Sequence, residues 1–437
     1  MNKLVRIWKT IREDETVYTL KLKIDSEKLT PEILIPYISF ILGLAICTAT
    51  SALSISYTAI AILVLFKTDF WYHFKLAMRN WYVVGGLLFY LIFLIAVLWT
   101  SAPLHDAGKM LVRIIGYLLL PLFFMAFSIN DSARLLLKGF LIGAILSAVL
   151  SILSFIFRHH ILYGIQDNTW VVFHGHILHN AFLAVAAIFC LWRILDPNLT
   201  RKTKIWFLIA YLLCFIDVMF IVNGRTGQLM LLAMSAFLFV YRFRLKGAMI
   251  LVALSIIVTP LLYFSPMVQK GIKDYRSDSQ KYENGNSMTS VGLRYEFHQK
   301  STELIKLAPI IGYGTGSFRS VYQNYTKFTG VRATTNPHCD WLWIGVETGG
   351  LGIAVYALFL LLTIFSLNKL STYYKCMGFT LLLGYLLAGL QNSFFIDNVT
   401  GMAFIVIMTA IMVAGSKRVV LHSTLDVIPD LDRGSIL

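Results

Sequence analysis

Apolar residues along this 437-residue chain come in long blocks separated by short polar breaks. The blocks are about 15–25 residues long, the length that an α-helix needs to cross roughly 30 Å of hydrocarbon at about 1.5 Å per residue. The pattern predicts an all-α polytopic membrane protein. The twelve predicted transmembrane helices span residues 33–50, 53–66, 82–100, 110–128, 135–157, 177–195, 205–222, 227–241, 248–264, 340–366, 376–395 and 399–415.

The composition agrees with this fold class. Hydrophobic residues make up 57% of the chain and charged residues only 14%, with a mean hydropathy of +0.71. Soluble domains use about 45–50% apolar residues, so a soluble globular protein is excluded. The five cysteines lie in or beside the predicted spans at no metal or disulfide spacing, so we interpret them as packing residues.

Basic residues predict the orientation. With the N-terminus inside, the short inner loops and the C-terminal tail hold sixteen: Lys67, Lys75, Arg79, Arg134, Lys138, Arg193, Arg201, Lys202, Lys204, Arg242, Arg244, Lys246, Lys369, Lys375, Lys417 and Arg418. The short outer loops and their flanks hold four: Lys109, Arg113, Arg158 and Arg225. By the positive-inside rule, the tails 1–32 and 416–437 are cytoplasmic. The first tail lacks the apolar core of a cleavable signal.

Spans one to nine fill residues 33–264, and spans ten to twelve fill residues 338–415, so the polar segment 265–337 between them is predicted to lie outside the cytoplasm. Its apolar positions recur near helical spacing, and a proline and a glycine-rich turn follow: Leu293, Phe297, Leu304 and Leu307, then Pro309, Gly312, Gly314 and Gly316. We therefore expect a folded, partly helical cap. Its ten basic and five acidic residues favour an anionic ligand or lipid headgroup.

The stretch TTNPHCDWLWIGVETGGLGI (334–353) places a histidine where span ten begins. We expect Asn336 to be the N-cap, Pro337 the first helical residue and His338 part of the first turn. The positive end of the helix dipole then opposes protonation and attracts phosphate oxygens, which suits a base beside a diphosphate. Asp340 and Glu347 are expected to orient neighbouring groups.

Three further polar clusters are predicted on the same side. NGRTGQ (223–228) sets Arg225 at the start of span eight, where a guanidinium can bind a phosphate with two hydrogen bonds. Arg294 lies in the cap helix with His298 one turn later. FHGHILHN sets His174, His176, His179 and Asn180 at the start of span six. Together these clusters suggest one anion-binding site at the outer membrane face.

Simpler interpretations remain open for each cluster. His338 can be a helix-capping histidine, Arg225 can hold lipid phosphate, and Arg294 with His298 can be a solvated helix face. The three histidines of span six suggest zinc, but no further ligand follows at a suitable spacing, so no metal site is predicted. Asp217 in span seven is either functional or paired within the bundle.

The motifs GRTG, LRYEFHQKSTELIKLAPIIGYGTGSF and NPHCDWLWIGVETGGLGI resemble those of the O-antigen ligase family, which is related to O-antigen polymerases and protein O-oligosaccharyltransferases. The resemblance in topology covers nearly the whole chain, and the resemblance in motifs covers about residues 220–353. The two arginines of the family match Arg225 and Arg294, and its histidine matches His338. Cys339 departs from the family, which often has asparagine there.

The resemblance implies an enzyme of the bacterial inner membrane that works on its periplasmic side without metal or cofactor. Such a ligase transfers O-antigen from undecaprenyl diphosphate to a sugar of the lipid A–core, in lipopolysaccharide biosynthesis. No nucleic acid is an expected partner. A polymerase or oligosaccharyltransferase of the same superfamily stays open, as does a non-enzymatic lipid or glycan transporter. Against a transporter, no internal repeat is evident and the polar clusters lie at the surface.

Overall fold

The structure is a computed structural model that describes residues 30–158, 170–249, 263, 266–283, 289–328 and 332–416. All regular structure in these residues is helical. The helices are α1 (Pro31–Thr48), α2 (Thr50–Leu65), α3 (Phe70–Ala77), α4 (Trp81–Ala96), α5 (Leu104–Arg113), α6 (Ile115–Phe127), α7 (Ser132–Phe157), α8 (His176–Ile194), α9 (Arg201–Ile216), α10 (Arg225–Phe243), α11 (Pro266–Glu283), α12 (Ser290–Leu307), α13 (Phe318–Thr326), α14 (Asp340–Leu367), α15 (Thr372–Gly389) and α16 (Asn398–Gly415). A π-helical turn, Asp217–Ile221, follows α9.

The predicted fold class is confirmed: the chain is an all-α polytopic membrane protein. Among the described residues, nine helical segments are long and apolar enough to cross a membrane: α1, α4, α5 with α6, α7, α8, α9 with its π turn, α10, α14 and α16. Helix α2 and the short α3 form a pair bent by 118°. Helix α15 occupies the predicted span 376–395 but ends at Gly389. Most of the predicted span 248–264, and most of both predicted tails, lie outside the described residues.

Close helix contacts are made through small residues. A methyl group added at Gly43 of α1, or at Gly139 or Gly143 of α7, would collide with the backbone of the other helix. Transmembrane helices associate through such small residues because lipid supplies no hydrophobic drive to pack them. The bundle core is otherwise apolar and aromatic, and α16 is buried along nearly its whole length.

The predicted helix of the cap is confirmed as α12, which ends just before Ala308 and Pro309. A residue that precedes proline is disfavoured in helical conformation, so the helix stops there. The predicted glycine turn is also confirmed, with positive φ at Gly312, Gly314 and Gly316. Leu307, expected on the apolar face, is 65% exposed because it is the last residue of the helix.

The cap turn is bound to a break in α14. Gly349 has φ 63° and ψ −161°, which interrupts the helix and frees backbone groups on both sides of it. The turn pairs with them: Gly350 donates its N–H to Pro309 O (2.8 Å), and Gly314 donates its N–H to Glu347 O (2.8 Å). Backbone groups freed by a helix break need such partners, so the break and the turn stabilise each other.

The Glu347 side chain also binds the same turn. Its Oε2 accepts a hydrogen bond from Gly316 N (2.8 Å), and its Oε1 accepts one from Trp343 Nε1 (2.9 Å). The guanidinium of Arg113 lies over the Trp343 ring at 4.9 Å. The cap is therefore held firmly on the bundle next to the start of α14.

Candidate functional site

The fold brings Arg225, Arg294 and His338 together although they lie on three separate segments. Burial lowers the pKa of the Arg294 guanidinium, and the nearby charge of Arg225 lowers it further. The charge of Arg294 in turn contributes to lowering the pKa of His338. Arg294 thus lies within electrostatic reach of both Arg225 and His338, at the end of the bundle that carries the cap.

Arg225 is the first residue of α10, as predicted, and its side chain is exposed. The N-cap, Gly224, offers no side-chain hydrogen bond to the free N–H groups of the first turn. Those N–H groups and the helix dipole favour an anion at this position. Asn180 of α8 packs directly against Gly224 and Gly227. It leaves no room for a Cβ atom at either position.

Asn180 also holds the chain that leads into Arg225. Its Nδ2 donates to the carbonyl oxygens of Val222 (2.9 Å) and Gly224 (3.4 Å). These bonds replace the helical bonds that the backbone loses between the π turn and α10. Asn180 was predicted as a member of the polar cluster at the start of span six; its hydrogen bonds to the backbone before Arg225 could not be read from the FHGHILHN stretch alone.

Arg294 and His298 lie on the inner face of α12 and are half-buried, so they are not a solvated surface pair. Phe297, between them, is 6% exposed and stacks on the ring of His338 with 6.1 Å between centroids. Burial lowers the pKa of His298; a hydrogen bond to the backbone of His338 raises it, and Arg294 lowers it. The cap helix therefore closes directly over the histidine.

The predicted position of His338 in the first helical turn is wrong. Helix α14 begins at Asp340 with Cys339 as N-cap, and His338 has φ 56°, a left-handed conformation that cannot belong to a right-handed helix. Asn336 does not cap the helix; instead its Oδ1 accepts the N–H of His338 at 2.7 Å. The resulting turn directs the imidazole away from α14 and towards α12.

The predicted low pKa of His338 is confirmed in direction, but its cause differs from the helix dipole that was expected. Burial contributes most, the charges of Arg294 and His298 lower the pKa further, and a hydrogen bond with Asn392 opposes them. A buried imidazole between cations stays neutral because its protonated form loses hydration and meets like charge.

A loop after α15, residues 390–397, contacts the histidine segment at three points. Nδ1 of His338 is 3.3 Å from Asn392 Oδ1, and Ser393 Oγ donates to Asn336 Oδ1 at 2.8 Å. The carboxylate of Asp340 accepts the backbone N–H groups of Phe395 and Ile396, each at 3.1 Å. Asp340 thus holds the backbone of this loop against the start of α14. Sequence reasoning missed this loop because it assigned residues 376–395 to one transmembrane span.

The same loop reaches the start of α10. Nδ2 of Asn392 donates to Thr226 Oγ1 at 2.9 Å, and Thr226 Oγ1 donates to Gln391 Oε1 at 3.5 Å. Thr226 follows Arg225 directly. One buried chain of side-chain hydrogen bonds therefore links the arginine segment to the histidine.

The histidines of the FHGHILHN stretch serve the bundle interior. His174 is buried with its Nε2 3.0 Å from the carbonyl oxygen of Ile46. His179 lies between Ser147 Oγ (3.2 Å from Nδ1) and Asp217 Oδ1 (3.2 Å from Nε2). His176 is half-buried at the first position of α8, with its carbonyl oxygen beside Gly224.

Asp217 is therefore paired within the bundle, with His179 as its partner. This was one of the two interpretations that the sequence left open. Ser147, His179 and Asp217 form a chain of the kind found in hydrolases, but all three are fully buried in the bundle. A substrate cannot reach the serine, so the chain acts as a helix-to-helix brace between α7, α8 and the π turn.

Among the described residues, no group of three or more His, Cys, Asp or Glu side chains is arranged to hold a metal ion. The five cysteines are free and buried, as packing residues are expected to be.

Residues 209–357, about a third of the chain, match the family model described as O-Antigen ligase. No curated protein matches the chain in sequence. The matched stretch contains Arg225, Arg294 and His338, whereas Asn180 and Asn392 lie outside it. Residues 209–357 are thus similar to the O-antigen ligase family, in agreement with the resemblance carried by the motifs.

Proposed function

We propose that this protein is an O-antigen ligase. It transfers O-antigen polysaccharide from undecaprenyl diphosphate to a sugar of the lipid A–core, at the periplasmic face of the bacterial inner membrane. The observation that carries the proposal is the convergence of Arg225, Arg294 and His338 at one end of the bundle. Two cations beside a neutral base are what the departure of a diphosphate and the deprotonation of a hydroxyl require.

The two arginines bind the carrier diphosphate. Arg225 is exposed at a helix N-terminus whose backbone N–H groups have no side-chain acceptor from the N-cap residue. Arg294, from helix α12 of the cap, lies close enough for the charge of Arg225 to lower its pKa. A guanidinium forms paired hydrogen bonds to phosphate oxygens, and the helix terminus adds its own positive field. In this account these groups do the work that a divalent ion does in many nucleotide-sugar enzymes, so the reaction needs no metal.

The transfer is a single displacement with inversion at the anomeric carbon. His338 takes the proton of the acceptor hydroxyl as its oxygen forms the new bond to that carbon. The bond between the carbon and the carrier phosphate oxygen breaks, and its electron pair leaves with the diphosphate. Arg225 and Arg294 stabilise the negative charge that develops there. The proton on His338 then passes to solvent.

The experiment is the lipopolysaccharide profile of a deletion strain, complemented with wild-type or variant protein. We expect loss of all long O-chains, with polymer accumulating on the carrier. A core that bears a single repeat would identify a polymerase instead.

A second experiment tests the metal-free mechanism. We expect purified protein to transfer glycan at an unchanged rate in excess EDTA. Loss of activity in EDTA that magnesium or manganese restores would exclude this mechanism.

A further inference from the structure

Asn392 is the only side chain shown to hydrogen-bond the His338 ring among the described residues, and it lies outside the family match. Its Oδ1 is 3.3 Å from His338 Nδ1, and its Nδ2 donates to Thr226 Oγ1 at 2.9 Å. The Asn392 side chain is buried. No hydrogen bond to Nε2 of His338 occurs within the described part of the chain.

The orientation of the Asn392 amide follows from its other neighbour. Thr226 Oγ1 donates to Gln391 Oε1 at 3.5 Å and accepts a hydrogen bond from Asn392 Nδ2 at 2.9 Å. The NH₂ group of Asn392 therefore faces Thr226, and its carbonyl oxygen faces His338. Since a carbonyl oxygen only accepts, the proton in that contact belongs to Nδ1 of the imidazole.

We propose that Asn392 is a positioning residue that keeps the proton of neutral His338 on Nδ1, so that Nε2 is the atom that accepts the proton of the acceptor hydroxyl. This inference rests on the proposed function, in which His338 is the base. A wrong tautomer would present an N–H to the incoming hydroxyl and block its deprotonation.

The surrounding contacts make the arrangement rigid. The loop that carries Asn392 is fixed to the histidine segment by Ser393 on Asn336 and by the Asp340 carboxylate on the N–H groups of Phe395 and Ile396. Phe297 stacks on one face of the ring. The imidazole thus has one hydrogen-bonded edge and one free edge.

An amide suits this position better than a carboxylate. The nearby charged or titratable groups that lower the pKa of His338 are Arg294 and His298, both from α12. Arg225 acts on the pKa of Arg294 in turn. The carboxylate of Asp340 is engaged by backbone N–H groups. An aspartate at position 392 would orient the ring equally, but it would stabilise the imidazolium and reduce the positive field that binds the diphosphate.

The first test compares Asn392→Leu with a matched control, Asn368→Leu, at the far end of α14. We expect Asn392→Leu to lower kcat for glycan transfer by about 10- to 100-fold, less than the roughly 10²–10⁴-fold effect of removing a general base. Binding of farnesyl diphosphate, a carrier-like probe, should stay near wild type, which also shows that the variant is folded. Asn368→Leu should transfer normally.

The second test uses Asn392→Asp, which keeps an acceptor for Nδ1–H and adds a negative charge. A base must be neutral to act, so raising its pKa moves the acidic limb of kcat/KM to higher pH. We expect that limb to move up by about one unit or more and the rate above the limb to exceed that of Asn392→Leu. An unshifted limb, or a loss as large as that of Asn392→Leu at every pH, would reduce Asn392 to a packing residue and overturn the inference.

Thr226→Val gives an independent check, because it leaves Asn392 in place and removes the group that orients its amide. We expect a several-fold lower kcat, and an unchanged kcat would contradict the inference. The outcomes separate it from the proposed function. Normal transfer by His338→Ala overturns the base assignment itself, whereas an inactive His338→Ala together with a fully active Asn392→Leu overturns only the role of Asn392.

Discussion

Arg225 and Arg294 lie within reach of each other's charge, yet neither forms a salt bridge with a carboxylate in the described part of the chain. Burial and then the charge of Arg225 lower the pKa of Arg294, so the pair repels itself in the absence of ligand. An unneutralised cation pair held by a rigid fold is a preorganised anion site, because a diphosphate relieves the repulsion when it binds.

Removing one of these charges should therefore cost ligand binding without costing stability. We expect the melting temperature of Arg225→Ala, measured without ligand, to equal or exceed that of the wild type. Farnesyl diphosphate at about 100 times its Kd should stabilise the wild type by about 2.7 kcal/mol and the variant far less.

Arg319→Ala, an exposed cap arginine outside the site, is the control and should keep the ligand-induced shift. Farnesyl monophosphate tests whether the site requires both phosphates. A variant Arg225→Ala that melts earlier and still gains full stabilisation from the diphosphate would show that Arg225 has a structural role only.

The pH dependence of the reaction should follow the low pKa of His338. Burial, Arg294 and His298 lower this pKa below the usual value of 6.5, with Asn392 acting in the opposite direction. Because the neutral imidazole is the active form, the acidic limb of kcat/KM should fall below pH 6.5. Replacing Arg294 with Gln removes a nearby positive charge, so the limb of the residual activity should move to higher pH. A wild-type limb above 6.5 would contradict the environment described here.

Gly349 should be irreplaceable for the attachment of the cap. Its φ of 63° with ψ of −161° is a region that only glycine adopts readily, and a Cβ there would meet the backbone of Ile310 and Ile311. We expect Gly349→Ala to destabilise the protein by about 1–3 kcal/mol from backbone strain alone, with additional loss from the collision.

Gly108→Ala in α5 is the matched control for that measurement, because a Cβ there meets no atom within 4 Å. Alanine in an exposed helix should be neutral or stabilise by up to about 1 kcal/mol. Thermal unfolding in detergent compares the two variants. Equal melting temperatures would mean that the α14 break is not required.

The orientation in the membrane rests on the distribution of basic residues and is open to a direct test. The excess of sixteen basic residues over four predicts that the cap lies outside the cytoplasm. A reporter that is active only outside the cytoplasm should work when fused near residue 300 and fail when fused near residue 200. The reverse pattern would place the site on the cytoplasmic face.

Local sequence signals predicted those parts of the site that depend on local structure. The apolar blocks predicted the all-α polytopic fold class. Pro309 and the glycines predicted the end of α12 and its turn, and the glycine before a long apolar run predicted a helix start at Arg225. Such signals depend on backbone preferences of a few adjacent residues, so they can be recognised without knowledge of the tertiary fold.

The parts that were missed depend on contacts between distant segments. The left-handed turn at His338 is stabilised by Asn336, Ser393 and Asn392, and the last two lie more than 50 residues further along the chain. From the sequence, His174 and His179 were expected at the outer surface. In the structure both are buried and form hydrogen bonds with Ile46 and Asp217 of other helical segments. A single sequence does not show which of its polar residues will meet.

The central claim is that His338 is the base of a glycosyl transfer whose donor is held by two arginines. The most direct test is the kcat of His338→Ala in a reconstituted assay, with donor binding measured on the same preparation. The account predicts transfer about 10²–10⁴-fold slower, with donor binding close to wild type. Near-normal transfer by a correctly folded His338→Ala protein would contradict it.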